Sequence, residues 1–187
     1  MDVYDFDGTL YPGDSTRDFF LWCARRYPRA LLTLPRTGVA ALGCYGLRVI
    51  DKTRLKGALY RFLRHVPDVE SEVRQFWRVH EGRIAGPCNP QPGDLVISAS
   101  PEFLLRDMCA KRGLMLIASP VGPVTGCVIG TNCSNEEKVR RFREVYPDAE
   151  IDNFYSDSHN DDPLARIAKQ AFFVNLRKNS LQPWSFK

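Results

Sequence analysis

The sequence is poor in the residues that build histidine- or cysteine-based sites. It has only three histidines in 187 residues, and they lie far apart, at His65, His80 and His159. Its six cysteines follow no C-x-x-C or zinc-type spacing, so we expect reduced core thiols of a cytoplasmic protein. These absences argue against a histidine-based metal site and against a catalytic triad built on histidine.

Long hydrophobic runs are also missing. The longest stretch without a charged side chain, Thr37 to Leu47, is about half of the ~20 residues that a membrane-spanning helix needs. Asp5 follows so soon after Met1 that we expect no signal peptide. With 44% hydrophobic and 26% charged residues, the composition is that of an ordinary globular protein with one substantial core.

Charge is unevenly distributed along the chain. Residues 15–90 contain 14 Lys and Arg against 6 Asp and Glu, whereas the remainder contains 12 against 16. A basic middle segment between more acidic flanks predicts two lobes with different roles.

The flanks carry short apolar runs, most of them typical of strands buried on both faces of a sheet. Helical stretches at about 101–112, 135–146 and 161–169 separate them, which is the pattern of a parallel α/β sheet. A segment with two glycines and alternating valines, 123–132, predicts a small hairpin. The strand-like runs are DVYDF (2–6), LVISA (95–99), LMLIA (114–118), NFYS (153–156) and AFFVN (171–175).

The middle of the chain shows almost no strand pattern. Leu55, Leu59, Phe62 and Val66 recur at helical spacing, and we expect four or five helices there. A segment rich in proline and glycine, 85–94, predicts the linker that returns to the sheet.

We therefore predict an α/β fold with a Rossmann-like doubly wound parallel sheet core and an inserted helical cap. The core would comprise residues 1–14 and 91–187, and the cap residues 15–90.

Polar side chains follow the predicted strands at the carboxyl ends, where ligands bind in an open parallel sheet. Asp5 and Asp7 come directly after the first strand, and they repel each other unless they share a cation. The second strand ends in Ser98, Ala99 and Ser100, which offer hydroxyls and backbone N–H groups to an anion at the start of a helix.

The remaining polar residues of this edge indicate a metal and a phosphoryl group. Asp157, Asn160 and Asp161 follow the fourth strand, and Lys138 lies in the first turn of a helix above the same edge. Carboxylate oxygens without His or Cys favour Mg²⁺ over zinc. Mg²⁺ combined with lysine and amide donors favours a phosphoryl group.

The motifs DFDGTL, VISAS, a lysine and DSHND occur in the order found in the haloacid dehalogenase-like (HAD) superfamily. The sequence most resembles the phosphoserine phosphatase-like branch, in which a helical cap lies between the first two motifs. This resemblance covers nearly the whole chain. It implies a Mg²⁺-dependent phosphatase that hydrolyses a phosphomonoester through an aspartyl-phosphate intermediate.

The resemblance also implies a role for each matching residue. Asp5 is the nucleophile, and Asp7 protonates the leaving oxygen and then activates water. Gly8 permits the tight turn after the strand, and Thr9 helps to place the loop. The implied phosphate-binding residues are Ser98, Ala99, Lys138 and Asn160. The implied metal site comprises Asp5, Asp7 through its backbone carbonyl, Asp157 and, at or next to the metal, Asp161.

Two features of the cap have alternative interpretations. The resemblance implies that an acidic residue near Asp14 contacts a substrate amino group, but Asp14 also suits an ordinary helix N-cap, which we favour. The basic residues of the cap are either solvated or attract a polyanionic substrate. The apolar stretch between Arg36 and Arg48 would suit an amphiphilic substrate or a membrane surface.

Several functions other than a phosphatase remain open. A phosphotransferase or mutase on the same fold would use an acceptor hydroxyl instead of water. A dehalogenase is disfavoured, because that chemistry does not call for the acid at Asp7. A non-catalytic module could use the basic cap to bind nucleic acid or a membrane. We expect a small phosphorylated metabolite as substrate and no nucleic-acid partner, and the oligomeric state stays open.

Overall fold

A six-stranded sheet forms the centre of the protein in a computed structural model that describes residues 1–46, 52–84 and 86–186. The order across the sheet is β3-β2-β1-β4-β5-β6, and all pairings are parallel except that of β5 with β6. The predicted doubly wound α/β fold is therefore confirmed. The strands are β1 (Val3–Tyr4), β2 (Leu95–Pro101), β3 (Met115–Ser119), β4 (Ile151–Ser156), β5 (Ala168–Asn175) and β6 (Ser180–Pro183).

Within the described residues, four α-helices lie between β1 and β2, and three follow β2. The first begins at an N-cap, because the Asp14 carboxylate accepts a hydrogen bond from the Arg17 N–H at 2.8 Å. Short 3₁₀ or π segments connect several of the helices. The α-helices are α1 (Ser15–Arg26), α2 (Leu34–Ala41), α3 (Lys52–Tyr60), α4 (Val69–His80), α5 (Glu102–Lys111), α6 (Glu136–Val145) and α7 (Asp162–Ile167).

Each face of the sheet is covered by its own apolar cluster. Neighbouring residues of a strand point to opposite faces, and accordingly Val3 and Tyr4 belong to different clusters. Phe142 of α6 and Leu164 of α7 pack with Val3, whereas Leu104 of α5 packs with Tyr4. The continuous apolar runs of the sequence are thus explained by burial on both sides.

Helices α1, α3 and α4, which lie between β1 and β2, contribute to the cluster that contains Tyr4. The rings of Phe6 and Trp77 meet edge to face with centroids 5.9 Å apart, and Trp77 Nε1 donates to the Leu104 carbonyl oxygen at 2.6 Å. Helix α4 is therefore anchored on the sheet and on α5. The division into core and cap at residues 15–90 stays a prediction.

Two local features differ from the predicted ones. The segment 123–132 forms a loop closed by a single antiparallel bridge, Val121 with Val128, instead of a paired hairpin. Packing explains this, because a Cβ at Gly126 would lie 2.2 Å from the Tyr60 carbonyl oxygen. The short strand β6 was not predicted, since four residues ending in proline give little strand pattern.

Some predicted features lie outside the described residues. They are Ala85 at the start of the predicted linker and residues 47–51 at the end of the apolar cap stretch. Within the described ranges, no helix has the length and apolar character needed to cross a bilayer.

Candidate active site

The loop after β1 requires a glycine and contacts the loop after β4. Asp5 still pairs with the sheet, because its N–H donates to the Tyr155 carbonyl oxygen at 2.9 Å. Gly8 then adopts a φ of +79°, and a Cβ on it would lie 2.0 Å from a carboxylate oxygen of Asp157. Thr9 Oγ1 accepts a hydrogen bond from the Asp157 N–H at 3.1 Å. These contacts bring Asp157 against the loop that carries Asp5.

Lys138 joins the same two loops from the first turn of α6. Its ammonium donates to Asp5 Oδ1 at 2.7 Å and to Asp161 Oδ2 at 2.8 Å, and its side chain is only 3% exposed. Ser156 Oγ also donates to Asp161, at 2.8 Å. Burial acts to lower the pKa of Lys138, but the two carboxylates outweigh it and raise that pKa above its ordinary value. Lys138 is therefore a buried, permanently charged partner of Asp5.

Asp7 lies on the other side of the turn, under the start of α1. Its carboxylate accepts hydrogen bonds from the Ser15 N–H at 2.7 Å and from the Ser100 hydroxyl. Burial raises the pKa of Asp7 to about 6, with a further contribution from Asp14, while the hydrogen bonds oppose the rise. A carboxyl group with this pKa exchanges its proton near neutral pH.

The predicted phosphate-binding residues occupy three different environments. Ser98 is buried inside β2, where its hydroxyl oxygen accepts a hydrogen bond from the Ser100 N–H at 3.1 Å. Ala99 exposes its carbonyl oxygen to donors from outside the strand, including Ser119 Oγ at 3.0 Å. Asn160 is exposed, and its backbone N–H donates to Ser158 Oγ at 3.2 Å. The structure thus brings Ser98 and Ala99 to the edge near Asp7, and Asn160 to the rim.

Lys56 of α3 is a cap residue that the sequence pattern did not reveal. Its ammonium donates to the Ala99 carbonyl oxygen at 2.7 Å, so the cap contacts the predicted phosphate-binding strand. Burial lowers the pKa of Lys56, and the nearby carboxylates of Asp14, Asp7 and Asp5 oppose that shift. No spacing in the sequence distinguishes Lys56 from the other basic residues of the predicted cap. Its contact with Ala99 depends on how α3 packs against the sheet region.

Asp14 has two roles at the edge of the site. Its carboxylate caps α1, as preferred from the sequence, and the residue also lines a cleft of about 740 Å³ beside Asp7 and Asp157. Arg17 and Arg177 line the same cleft, and neither was predicted as a site residue. The cleft is therefore acidic at the β1 loop and basic toward its sides.

The donor set of this edge fits Mg²⁺. In the described part of the chain, no three acidic, histidine or cysteine side chains converge into one cluster. Mg²⁺ does not need such a cluster, because it retains several waters and takes one or two carboxylates. The donors that the resemblance implies are Asp5, Asp157 and the Asp7 backbone carbonyl, and their role as metal ligands stays a prediction.

The charges around Asp5 and Asp157 also favour a cation. Desolvation raises the pKa of Asp5, Lys138 opposes the rise, and Asp161 adds to it. Desolvation likewise raises the pKa of Asp157, and among the described side chains none donates a hydrogen bond to its carboxylate. The carboxylates here outnumber the ammonium groups of Lys138 and Lys56, so a cation would supply positive charge that the buried site lacks.

A relative from Caulobacter vibrioides and two solved structures resemble this chain. This chain is 31% identical over 189 residues to "Protein CicA" of Caulobacter vibrioides. The alignment covers 90% of this chain and 82% of the relative. A protein of unknown function from Bordetella pertussis Tohama I shares its fold, with a TM-score of 0.70, 21% identity and coverage of 91% and 87%.

The second structure is a phosphoserine phosphohydrolase-like protein from Francisella tularensis. Its TM-score is 0.50 at 14% identity, with coverage of 91% of this chain and 86% of that one, so it shares the fold. The family model for haloacid dehalogenase-like hydrolases matches residues 3–166, a range that contains Asp5, Lys138 and Asp161. The chain therefore belongs to the haloacid dehalogenase-like hydrolases, as its four motifs predicted.

Proposed function

We propose that this protein is a Mg²⁺-dependent phosphatase that hydrolyses a phosphomonoester through an aspartyl-phosphate at Asp5. The observation that carries the proposal is the pairing of Asp5 with Lys138 at 2.7 Å, next to a separately hydrogen-bonded Asp7. The Lys138 ammonium opposes the desolvation that raises the pKa of Asp5, while burial raises the pKa of Asp7 to about 6. Two carboxyl groups in different environments suit a nucleophile and a general acid.

In the first step, an Asp5 carboxylate oxygen attacks phosphorus and the bond from phosphorus to the leaving oxygen breaks. Lys138 orients the attacking carboxylate through its hydrogen bond to Oδ1. The protonated Asp7 carboxyl gives its proton to the leaving oxygen. The product is an alcohol and an acyl phosphate on Asp5.

In the second step, Asp7 acts as the base. Its carboxylate takes a proton from water, the water oxygen attacks phosphorus, and the bond between phosphorus and the Asp5 oxygen breaks. Inorganic phosphate leaves and Asp5 is regenerated. The Ser15 N–H and the Ser100 hydroxyl hold Asp7 in one orientation, so the same group can serve both steps.

The phosphoryl oxygens would be bound by residues around this pair. Bound Mg²⁺ would offset their negative charge, held by Asp5, Asp157 and the Asp7 carbonyl, with Asp161 next to it. Ser98 retains a hydroxyl proton to donate, because its oxygen is the acceptor in its contact with Ser100. The other phosphate ligands in this proposal are Lys138, the Ala99 amide and the exposed Asn160.

The substrate class follows from the cleft. A volume of about 740 Å³ suits a small phosphorylated metabolite. Arg17 and Arg177 on its sides, and Lys56 above β2, favour a leaving group that carries further negative charge.

The test compares hydrolysis of p-nitrophenyl phosphate by the wild type, Asp5→Asn and Asp148→Asn, with Mg²⁺ and after chelation. Asp148 is exposed and belongs to none of the four motifs, so it controls for the loss of one carboxylate. We expect Asp5→Asn to lose at least about a thousandfold in kcat, because the nucleophile is removed. Asp148→Asn should match the wild type, and chelation should abolish turnover.

Acid quenching during turnover supplies an independent readout. A phosphorylated peptide that contains Asp5 is expected from the wild type and not from Asp5→Asn. Turnover that survives Asp5→Asn would refute the nucleophile, and turnover indifferent to chelation would refute the metal dependence. Preferential transfer to an added alcohol over water would instead assign a phosphotransferase.

A further inference from the structure

Five large apolar side chains between residues 31 and 42 are exposed to solvent. None of the eight residues of α2 is buried, and Leu32 and Val39 are 69% and 71% exposed. Elsewhere in the described chain, the exposed large apolar residues are at least five residues apart, whereas Leu31, Leu32 and Leu34 lie within four residues. We call the cap residues the apolar cap face: Leu31, Leu32, Leu34, Val39 and Leu42.

Helical spacing places basic side chains beside this face. Val39 and Leu42 are three residues apart at the end of α2, so they lie along one side of it, and Leu32 lies two residues before α2 in the 3₁₀ segment Pro28–Thr33. Arg29 is three residues before Leu32 in the 3₁₀ segment, and Arg36 is three before Val39 in α2. The exposed apolar residues are therefore flanked by arginines.

No acidic residue interrupts this part of the sequence. Between Phe19 and Ile50 the chain contains five arginines and no Asp or Glu. Arg25, Arg29 and Arg36 are exposed, and none forms an ion pair with a residue that the structure describes. Their charge is thus available to an external anion.

The combination of leucines and arginines distinguishes between kinds of partner. A nucleic acid would use the arginines and leave the leucines in water. A bilayer with acidic headgroups would use both, because apolar side chains enter the interface while arginines remain at the phosphates. We propose that the apolar cap face binds the surface of an anionic lipid bilayer.

The location of this face gives the proposal a consequence for the enzyme. Arg36 and Val39 of α2 line a groove of about 600 Å³ together with Gly57 and Ala58 of α3. Helix α3 also carries Lys56, whose ammonium contacts Ala99. The bilayer would therefore lie one helix away from the candidate active site. The proposal does not depend on the phosphatase chemistry.

The experiment is co-sedimentation of the full chain with sucrose-loaded vesicles. One set contains phosphatidylcholine alone and the other includes a third of phosphatidylglycerol, each at low and at physiological salt. The variants are Leu32→Ser with Val39→Ser, and Arg29→Gln with Arg36→Gln. The matched controls are Val79→Ser with Val124→Ser, which are exposed apolar residues elsewhere, and Arg74→Gln with Arg78→Gln on α4.

We expect the wild type to bind the anionic vesicles, more strongly at low salt, and to bind the neutral ones weakly. Each arginine near an anionic surface strengthens binding to that surface. Loss of two arginines should therefore lower the partition coefficient of the double arginine variant by about tenfold or more. The double apolar variant should lose a similar factor, and both controls should stay within about twofold of the wild type. Circular dichroism melting curves verify that every variant folds.

Three outcomes would overturn the proposal. They are no binding of the wild type to anionic vesicles, equal binding to both vesicle types, and binding that the two cap variants do not weaken. A concentration-dependent dimer that Leu32→Ser disrupts, without vesicle binding, would assign the face to a second copy of the chain. All of these readouts are independent of catalysis, so a failure of the phosphatase proposal would be seen separately.

Discussion

Two regions of the protein depart from the usual burial of apolar side chains and exposure of charged ones. They are the edge of the sheet that carries Asp5 and Lys138, and the cap. At the edge, charged groups are buried, as in Lys138 with 3% exposure. On the cap, large apolar groups are exposed, as in Val39 with 71%. Buried charge and exposed apolar area are the informative exceptions in a folded protein, because each costs free energy unless a partner compensates it.

The two regions differ in where that partner lies. Lys138 finds Asp5 and Asp161 inside the chain, so this network contributes to folding as well as to the proposed chemistry. The apolar cap face has no such partner among the described residues, and the partner we propose for it is an anionic bilayer. Substitutions at the edge should therefore affect stability and activity together, whereas substitutions on the cap face should affect binding alone.

The largest effect is expected from Lys138→Met. It leaves the Asp5 and Asp161 carboxylates buried without their cation, which should cost about 3–5 kcal/mol in the free energy of unfolding. Turnover should be lost as well, since Asp5 is no longer oriented. Urea denaturation and aryl phosphate hydrolysis measure the two losses.

Lys169→Met is the matched control, because Lys169 also bridges two carboxylates, Glu150 and Asp152, but at the exposed surface. It should leave the denaturation curve close to that of the wild type. Adding Asp161→Asn to Lys138→Met should restore part of the stability, because it removes one of the unpaired buried charges. A denaturation curve of Lys138→Met that coincides with that of Lys169→Met would contradict the distinction between the buried edge and the surface.

An intermediate effect is expected where the cap meets the edge, from Lys56→Met. The substitution removes a positive charge beside Ala99, so KM should rise by about tenfold with kcat little changed. Arg64→Met is the control, since Arg64 Nε also donates from the cap to a backbone carbonyl oxygen, that of Thr125, at 2.9 Å. Equal changes in both variants would show that Lys56 is only a tether between cap and sheet.

The smallest effect concerns the helix that carries Lys138. Hydrogen bonding to Arg140 lowers the pKa of Glu137 from its ordinary 4.5 to about 2, burial opposes this, and Arg141 adds to it. Because the folded pKa is lower, Glu137 stabilises the protein above pH 4.5, and this contribution is lost as pH falls toward about 2. With solvent screening, Glu137→Gln should cost about 1 kcal/mol at pH 7.

Melting temperatures of the wild type and Glu137→Gln between pH 7 and pH 2 test this assignment. The two curves should converge as the pH falls below 4.5, since protonation then removes the same charge from the wild type. Glu144→Gln, which removes the more exposed carboxylate partner of Arg140, is the control for the loss of charge from α6. Curves that remain parallel would exclude the titration of Glu137 as the cause.

The strands and helices of the sheet region were predictable from sequence, because burial on both faces leaves a continuous apolar pattern. The runs at 95–99 and 114–118 correspond to β2 and β3 within one or two residues at each end. The hairpin predicted at 123–132 is reduced to the single bridge of Val121 with Val128, and Gly126 approaches Tyr60, a contact that no local pattern records. The helices of the middle segment were also predictable, since four α-helices are described where four or five were expected. What packs on them required the tertiary structure, because a helical period indicates an apolar side without indicating which residues cover it.

The sequence by itself determined the chemistry available to this protein. Asp5, Asp7 and Asp157 could be placed near one another from sequence, because parallel strands bring their carboxyl ends to one edge of the sheet. Lys138 was predicted from its position between the second and fourth motifs, and its contact with Asp5 agrees with that placement. Only the tertiary structure decided that Lys56 reaches Ala99 and that Leu32 and Val39 remain in solvent. Those two facts depend on how α2 and α3 pack, and packing is set by contacts between distant residues that spacing along the chain does not encode.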